Sequence, residues 1–170
     1  AILKMLPACL LTDQPVTLSN VPDIADVRVT IEVMRALGVS IEWTEPKTLR
    51  IQAKTINSHI LDHNMARKTR ASFVFAGAML GRMGQIVLPA PGGDFIGERR
   101  LDTHVVALHK LGAQIDFTNG AFAMKAKDLR GADILLREAS VMATENVIMA
   151  AVLATGTTIL RNAASEPHIQ

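Results

Sequence analysis

At 170 residues the chain is long enough for one sizeable domain or a large piece of one. Hydrophobic residues make up 49% and charged residues 20%, a globular rather than a disordered composition. A net charge of +2 and an aromatic content of 4% with no Tyr argue against nucleic-acid binding as its main work, and no run of 18 apolar residues predicts a membrane span.

In chain order, the apolar start 2-ILKMLPACLL-11 predicts a helix. It lacks a basic n-region and a cleavage site, so it does not read as a signal peptide. Pro7 fits only if the helix begins just before it or kinks there. Cys9 is the single cysteine, which excludes an internal disulfide and suits a reducing, cytoplasmic setting. It is expected as a small core residue. A short strand follows in 14-QPVTLSNV-21. Ile24, Val27, Ile31, Met34 and Leu37 then recur at spacings of three and four, the stripe of an amphipathic helix. Gly38 stands where a helix C-terminus wants a left-handed residue, before a strand ending near Trp43. Leu49–Ala53 reads as a further strand, and 54–68 as a connecting loop.

The same order then repeats. The run 71-ASFVFAGAML-80 predicts a buried helix, 84-GQIVLPAP-91 a strand, and Leu101, Val105, Leu108 and Leu111 a second amphipathic helix ending at Gly112. Strands around Gln114–Phe117 and Ala121–Lys125 follow, then a second connecting loop at 126–138. A third start appears in 147-VIMAAVLA-154, apolar nearly all round, and 156-GTTILRNA-163. The unit is helix, strand, helix, strand, strand, with a period of about 72 residues. Repeat 1 covers about 1–53 and repeat 2 about 69–126; repeat 3 begins about 140 and breaks off. Alternating helices and strands give an α/β class, with helices inside and sheets outside.

Three stretches could carry chemistry. Arg67, Lys68 and Arg70 precede a buried helix, whose N-terminus favours anions; the alternative is a solvated charge run. In 92-GGDFIGERR-100 the glycines permit close backbone approach, Arg99 and Arg100 can fork onto phosphate oxygens, and Asp94 sits beside them. That pattern is equally a surface hairpin with an ion pair. To act as an acid, Asp94 would need burial or a nearby anionic substrate. In 140-SVMATENVIMAA-151, Ser140 and Thr144 are candidate helix caps. His59 and His63 are four apart, but no third metal ligand stands with them, so no metal site is expected. Walker, GxGxxG and GxSxG motifs are missing from the sequence, and no cofactor is expected.

Taken together, 68-KTRAS-72, 92-GGDFIGER-99, 102-DTH-104, 140-SVMATEN-146 and 156-GTTILRNAASEP-167 resemble the UDP-N-acetylglucosamine 1-carboxyvinyltransferase family, the enolpyruvyl transferases of peptidoglycan synthesis. The resemblance runs along the whole chain. It implies a lobe of an inside-out α/β barrel, two such lobes making the family fold. It also implies transfer of the enolpyruvyl group of phosphoenolpyruvate to the 3-hydroxyl of UDP-N-acetylglucosamine. By position, Asp94 takes the place of the loop acid, Arg99 and Arg70 of the active-site arginines, and Asp102 and His104 of nucleotide-side contacts. Ser140 and Val141 match the diphosphate-binding turn, and Glu166 another sugar-nucleotide contact. Two alternatives are a shikimate 3-phosphate enolpyruvyl transferase and a non-catalytic paralogue that binds a nucleotide sugar.

The chain departs from the family pattern at several points. Asp94 stands where many members carry Cys, Met142 where Gly is usual, and Glu138 where Lys is common. Arg100 and Thr103 replace residues that usually flank the uracil. The family's Lys-Asn pair would precede Ala1, and the second lobe, with its further catalytic residues, is not in the sequence, so the 170-residue chain alone is expected to be inactive.

Overall fold

Two copies of one helix–strand–helix–strand–strand unit follow each other in the computed structural model, which describes residues 1–66, 70–90 and 101–169. In the first, helix α1 (Ile2–Ala8), strand β1 (Val16–Leu18), helix α2 (Ala25–Ala36) and strands β2 (Ser40–Glu45) and β3 (Thr48–Gln52) appear in turn. After the short helix α3 (His63–Ala66), the second copy comprises α4 (Phe75–Met83), β4 (Gln85–Pro89), α5 (Asp102–Lys110), β5 (Gln114–Thr118) and β6 (Ala121–Lys125). Strand β7 (Asp133–Leu135), helix α6 (Val141–Val152) and strand β8 (Ile159–Arg161) complete the described chain.

The two sheets repeat each other in register. Sheet β1-β3-β2 is antiparallel throughout, with Ile51 between Val16 and Ile41. Sheet β4-β6-β5 is built the same way, with Met124 between Ile86 and Ile115. Both amphipathic helices end alike. Val39 N–H returns to Met34 C=O and Gly38 N–H to Arg35 C=O; Ala113 and Gly112 make the same pair of bonds to Leu108 and His109. Gly38 and Gly112 hold φ of 98° and 103°, which a side chain would resist. The expected C-terminal glycines are thus both in place.

Three expectations need correction. Pro7 lies inside α1, five residues past its start, and the helix passes into a 3-10 turn at Cys9–Leu11 directly after it. The missing proline N–H removes one ladder bond, and the chain tightens rather than kinks. The segments 54–68 and 126–138 are more than connections. β7 pairs in parallel with β8, Ile134 opposite Leu160, and Ile60 makes the equivalent parallel bridge to Val87. From 60 to 134 is 74 residues and from 87 to 160 is 73, so the repeat includes these segments too. Lastly, α4 is buried from Phe75 to Leu80, as its composition predicts, but α6 is not buried all round: Ile148, Val152 and Leu153 are 41%, 62% and 46% exposed.

Helices α1, α4 and α6 and the 3-10 turn after α1 supply much of the core, with Leu6, Leu10, Met79, Leu80, Ala143, Val147 and Ala150 buried in it. Cys9 is part of this core, and burial pushes its thiol up to about 11. The thiol is therefore neutral at pH 8, and native protein should react with a maleimide at least about tenfold more slowly than unfolded protein. Equal rates in native buffer and in denaturant would contradict this placement. The sign of the linkage follows: stability from the buried neutral thiol is complete below the ordinary value of 9.0 and is lost as pH climbs toward 11.

Candidate functional site

Helix α6 begins where a serine can cap it. Ser140 has extended backbone, and its hydroxyl accepts a hydrogen bond from Ala143 N–H. Thr144 is not a cap. Its hydroxyl donates to Ser140 C=O at 2.8 Å and accepts from Ala164 N–H at 3.0 Å, which ties the segment after β8 to the first turn of α6. Met142 and Val141 are half-buried beside it.

Helix α5 begins with Asp102, an acid in the first turn of a helix, where the dipole favours it. Thr103 is buried, and its hydroxyl donates to a carboxylate oxygen of Glu138 at 3.3 Å. Asp102 lies 3.9 Å from Arg137. The first turn of α5 is therefore stitched to the residues just before α6 by one hydrogen bond and one ion pair.

Beneath these two helix starts lies a buried polar knot. Asn146, fully buried on α6, accepts from Gly77 N–H at 2.7 Å and donates to Phe73 C=O at 3.0 Å. The same amide nitrogen is 2.9 Å from Nδ1 of His104, on α5. The His104 ring meets Phe73 edge-on, with centroids 5.1 Å apart. Phe73 belongs to the 3-10 turn Arg70–Val74 that leads into α4. Three segments thus share one support: the turn that Arg70 opens, the first turn of α5, and α6.

A second polar group sits on the other side of α6. Glu145 is 6% exposed; one of its oxygens takes Lys4 at 3.2 Å and His168 at 3.0 Å. Its other oxygen is buried without a partner among the described residues. With Met5, Ile148 and Ile169 these residues line an otherwise apolar groove of about 380 Å³. Glu166 stands nearby in the turn that closes with Ile169 N–H on Glu166 C=O, and it also has one buried carboxylate oxygen without a partner among the described residues.

The residues singled out in the sequence distribute as follows. Asp102, His104, Ser140 and Val141 come together at the starts of α5 and α6, and Glu166 follows two residues after Ala164, whose N–H is tied to Thr144 on α6. Asp94 and Arg99 lie outside the described residues, and Arg70 is described by its backbone alone. His59 and His63 do not share a helix, since α3 starts only at His63. Among the described residues no three His, Cys, Asp or Glu side chains gather as a metal site would require.

The family model for EPSP synthase (3-phosphoshikimate 1-carboxyvinyltransferase) matches residues 1–170. The chain belongs to this enolpyruvyl transferase family. Within it, the UDP-N-acetylglucosamine 1-carboxyvinyltransferase of Bradyrhizobium diazoefficiens is 51% identical over 168 residues, which is 99% of this chain and 39% of that protein. The enzyme of the same name from Treponema denticola is 49% identical over 170 residues, all of this chain and 40% of that protein. The chain therefore spans about 40% of the length of these curated relatives. The crystal structure of the enolpyruvyl transferase NikO from Streptomyces tendae superposes with a TM-score of 0.85 at 19% identity, covering 99% of this chain and 40% of that one. EPSP synthase from Acinetobacter baumannii superposes with a TM-score of 0.68 at 19% identity, covering 98% and 40%. At such identities the structures bear on fold alone, and they bear out the enolpyruvyl transferase α/β architecture.

Asn146 and Glu145 are the polar residues that sequence reasoning left without a role. A signal was there: Thr144, Glu145 and Asn146 stand in a row in an otherwise apolar helix, where a buried polar group has to be paired. Among the described residues, no helix of this enolpyruvyl transferase chain is long and apolar enough to cross a membrane.

Proposed function

We propose that the protein to which this chain belongs transfers the enolpyruvyl group of phosphoenolpyruvate to the 3-hydroxyl of UDP-N-acetylglucosamine. The observation that carries this reading is the identity of about half of all residues to curated enzymes of that name, over essentially the whole chain. The geometry supports it: two helix starts and the turn opened by Arg70 share one buried support, and N-terminal helix ends favour phosphate. On this reading the chain is one lobe of three repeats, and a second lobe closes over the substrates.

The reaction balances as addition and elimination. The acceptor's 3-hydroxyl oxygen bonds to C2 of phosphoenolpyruvate as its O–H bond breaks and that proton is given up to a base, while C3 takes a proton and the C2–C3 double bond becomes single, giving a tetrahedral phosphoketal. C3 then returns a proton, the double bond re-forms, and the C–O bond to phosphate breaks. Asp94 handles the proton at C3. Arg99 and Arg70 hold the anionic donor, the large electrostatic part of catalysis. Asp102, Ser140, Val141 and Glu166 contact the sugar nucleotide. His104 is assigned by its matched position to the nucleotide side; its ring is 3% exposed, so it serves from below by setting the first turn of α5. The setting is cell-wall synthesis in the cytoplasm.

Two departures bear on the acceptor. Glu138, held by Thr103, brings a negative charge to the start of α5, and Met142 brings a side chain into the first turn of α6. Titration of the full-length protein, separately with UDP-N-acetylglucosamine and with shikimate 3-phosphate, tests the reading. Saturable binding of the first and release of inorganic phosphate from phosphoenolpyruvate in its presence are expected. Binding of shikimate 3-phosphate alone would overturn it, and binding of the nucleotide sugar without turnover would mark a non-catalytic paralogue.

A further inference from the structure

Phe73 C=O and Gly77 N–H are the i, i+4 pair that an unbroken α-helix would join. Here the Asn146 amide binds both, at 3.0 and 2.7 Å, where the 3-10 turn Arg70–Val74 passes into α4. These two bonds fix which way the amide points. A backbone N–H only donates, so it meets Oδ1; a carbonyl only accepts, so it meets Nδ2. Nδ2 has donors only, and its second proton faces His104 Nδ1 at 2.9 Å. That nitrogen must then carry a lone pair, and the ring proton sits on Nε2. The backbone of one helix thereby dictates the tautomer of a histidine on another.

We propose that Asn146 is a positioning residue for the substrate-binding end of the lobe, clamping the turn opened by Arg70 to the first turn of α5 and holding His104 as the Nε2–H imidazole. The proposal rests on the functional reading above for what the lobe binds, but not for the clamp itself. One planar amide references three segments. Phe73 stands three residues after Arg70, His104 two after Asp102, and Asn146 six after Ser140. Asn146 and Phe73 have no solvent exposure and His104 has 3%, so water cannot replace a lost partner. Residues that hold ligand-bearing segments in this way act through precision of placement rather than through contact. Serine, threonine or an apolar residue could not supply one acceptor and two donors in a plane. Aspartate keeps the shape and the acceptor toward Gly77, but turns acceptor against acceptor at Phe73 C=O and His104 Nδ1.

The test uses the full-length protein with ¹⁵N-labelled histidine. The wild-type His104 signal is expected to show the Nε2–H pattern. In Asn146→Asp it should shift to Nδ1–H or imidazolium, and the Kd for UDP-N-acetylglucosamine should rise about tenfold or more. Leu80→Ala serves as the control for lost stability; it empties a buried site on α4 and removes none of the hydrogen-bonding groups of the clamp. It should lower the melting temperature while leaving the His104 pattern unchanged and the Kd within about twofold. An Nδ1–H signal in the wild type overturns the proposal, even if the Asp variant does not fold. So does an Asp variant whose His104 pattern is unchanged, or whose Kd moves no more than that of Leu80→Ala. If the wild type binds no nucleotide sugar, the functional reading falls, and the clamp is decided by the tautomer alone.

Discussion

Gly77→Ala is expected to destabilise the protein by about 2 to 3 kcal/mol, although the substitution places the best helix former in the middle of a helix. Two effects oppose each other. Propensity favours alanine by about 1 kcal/mol. Against it, a Cβ on Gly77 would collide with the backbone oxygen of Asn146 and lie 2.8 Å from its carbonyl carbon and Cα. Backbone cannot swing aside as a side-chain tip can, so α4 and α6 would have to part. That movement opens the buried amide bonds to Gly77 and Phe73, and a buried polar group left unpaired costs about 1 to 3 kcal/mol. The clash and the lost pairing outweigh the propensity. Gly81, one turn later on the same helix, is the comparison. A Cβ there meets Met149 C=O at 3.3 Å, a contact that a shift of a few tenths of an ångström relieves. Gly81→Ala should therefore stay within about 1 kcal/mol of the parent. Urea denaturation of both variants reads the difference, and a Gly77→Ala protein as stable as its Gly81→Ala counterpart would refute the account of the α4–α6 contact.

The same glycine shows where sequence reading succeeds and where it stops. Local signals sufficed for the helices and their ends. Of the stripe Ile24, Val27, Ile31, Met34 and Leu37 the last four are buried as the spacing requires, while Ile24, which precedes the first turn of α2, is 48% exposed; Gly38 and Gly112 close their helices with matching bonds. The repeat was legible too, because each unit must bury the same faces against its neighbours. What could not be read was which residues meet across repeats. Gly77 and Asn146 lie 69 positions apart, and nothing local marks one as the space into which the other fits. β7 was missed for a related reason. Three residues, Asp133–Leu135, are too few for a period-two pattern, and their partner strand lies beyond the whole of α6. The candidate site divides the same way. Ser140 announces itself as a helix cap, whereas Asp102 came only through the family resemblance and the burial of His104 depends on a ring and an amide supplied by two other segments.

The larger effect on activity is expected at Asp94. In the full-length protein, Asp94→Asn should lower kcat by about 10² to 10⁴, the usual worth of a positioned proton donor, because an amide cannot pass a proton to C3 of the donor. Asp94→Cys should retain turnover, since a thiol can hold and deliver a proton at the same place. The two variants also separate in their response to fosfomycin, whose epoxide is opened by a soft thiolate. The parent enzyme, with a carboxylate at this position, should stay free of adduct and keep its activity after prolonged incubation. Asp94→Cys should lose activity with time and gain the mass of one inhibitor molecule on a peptide containing residue 94. The other cysteine of the chain provides an internal check: Cys9 is buried with its thiol raised to about 11, so it should carry no adduct in either protein. An adduct on Asp94 in the parent, or full turnover by Asp94→Asn, would remove this residue from the chemistry and leave Arg70 and Arg99 to account for it without an acid on the loop.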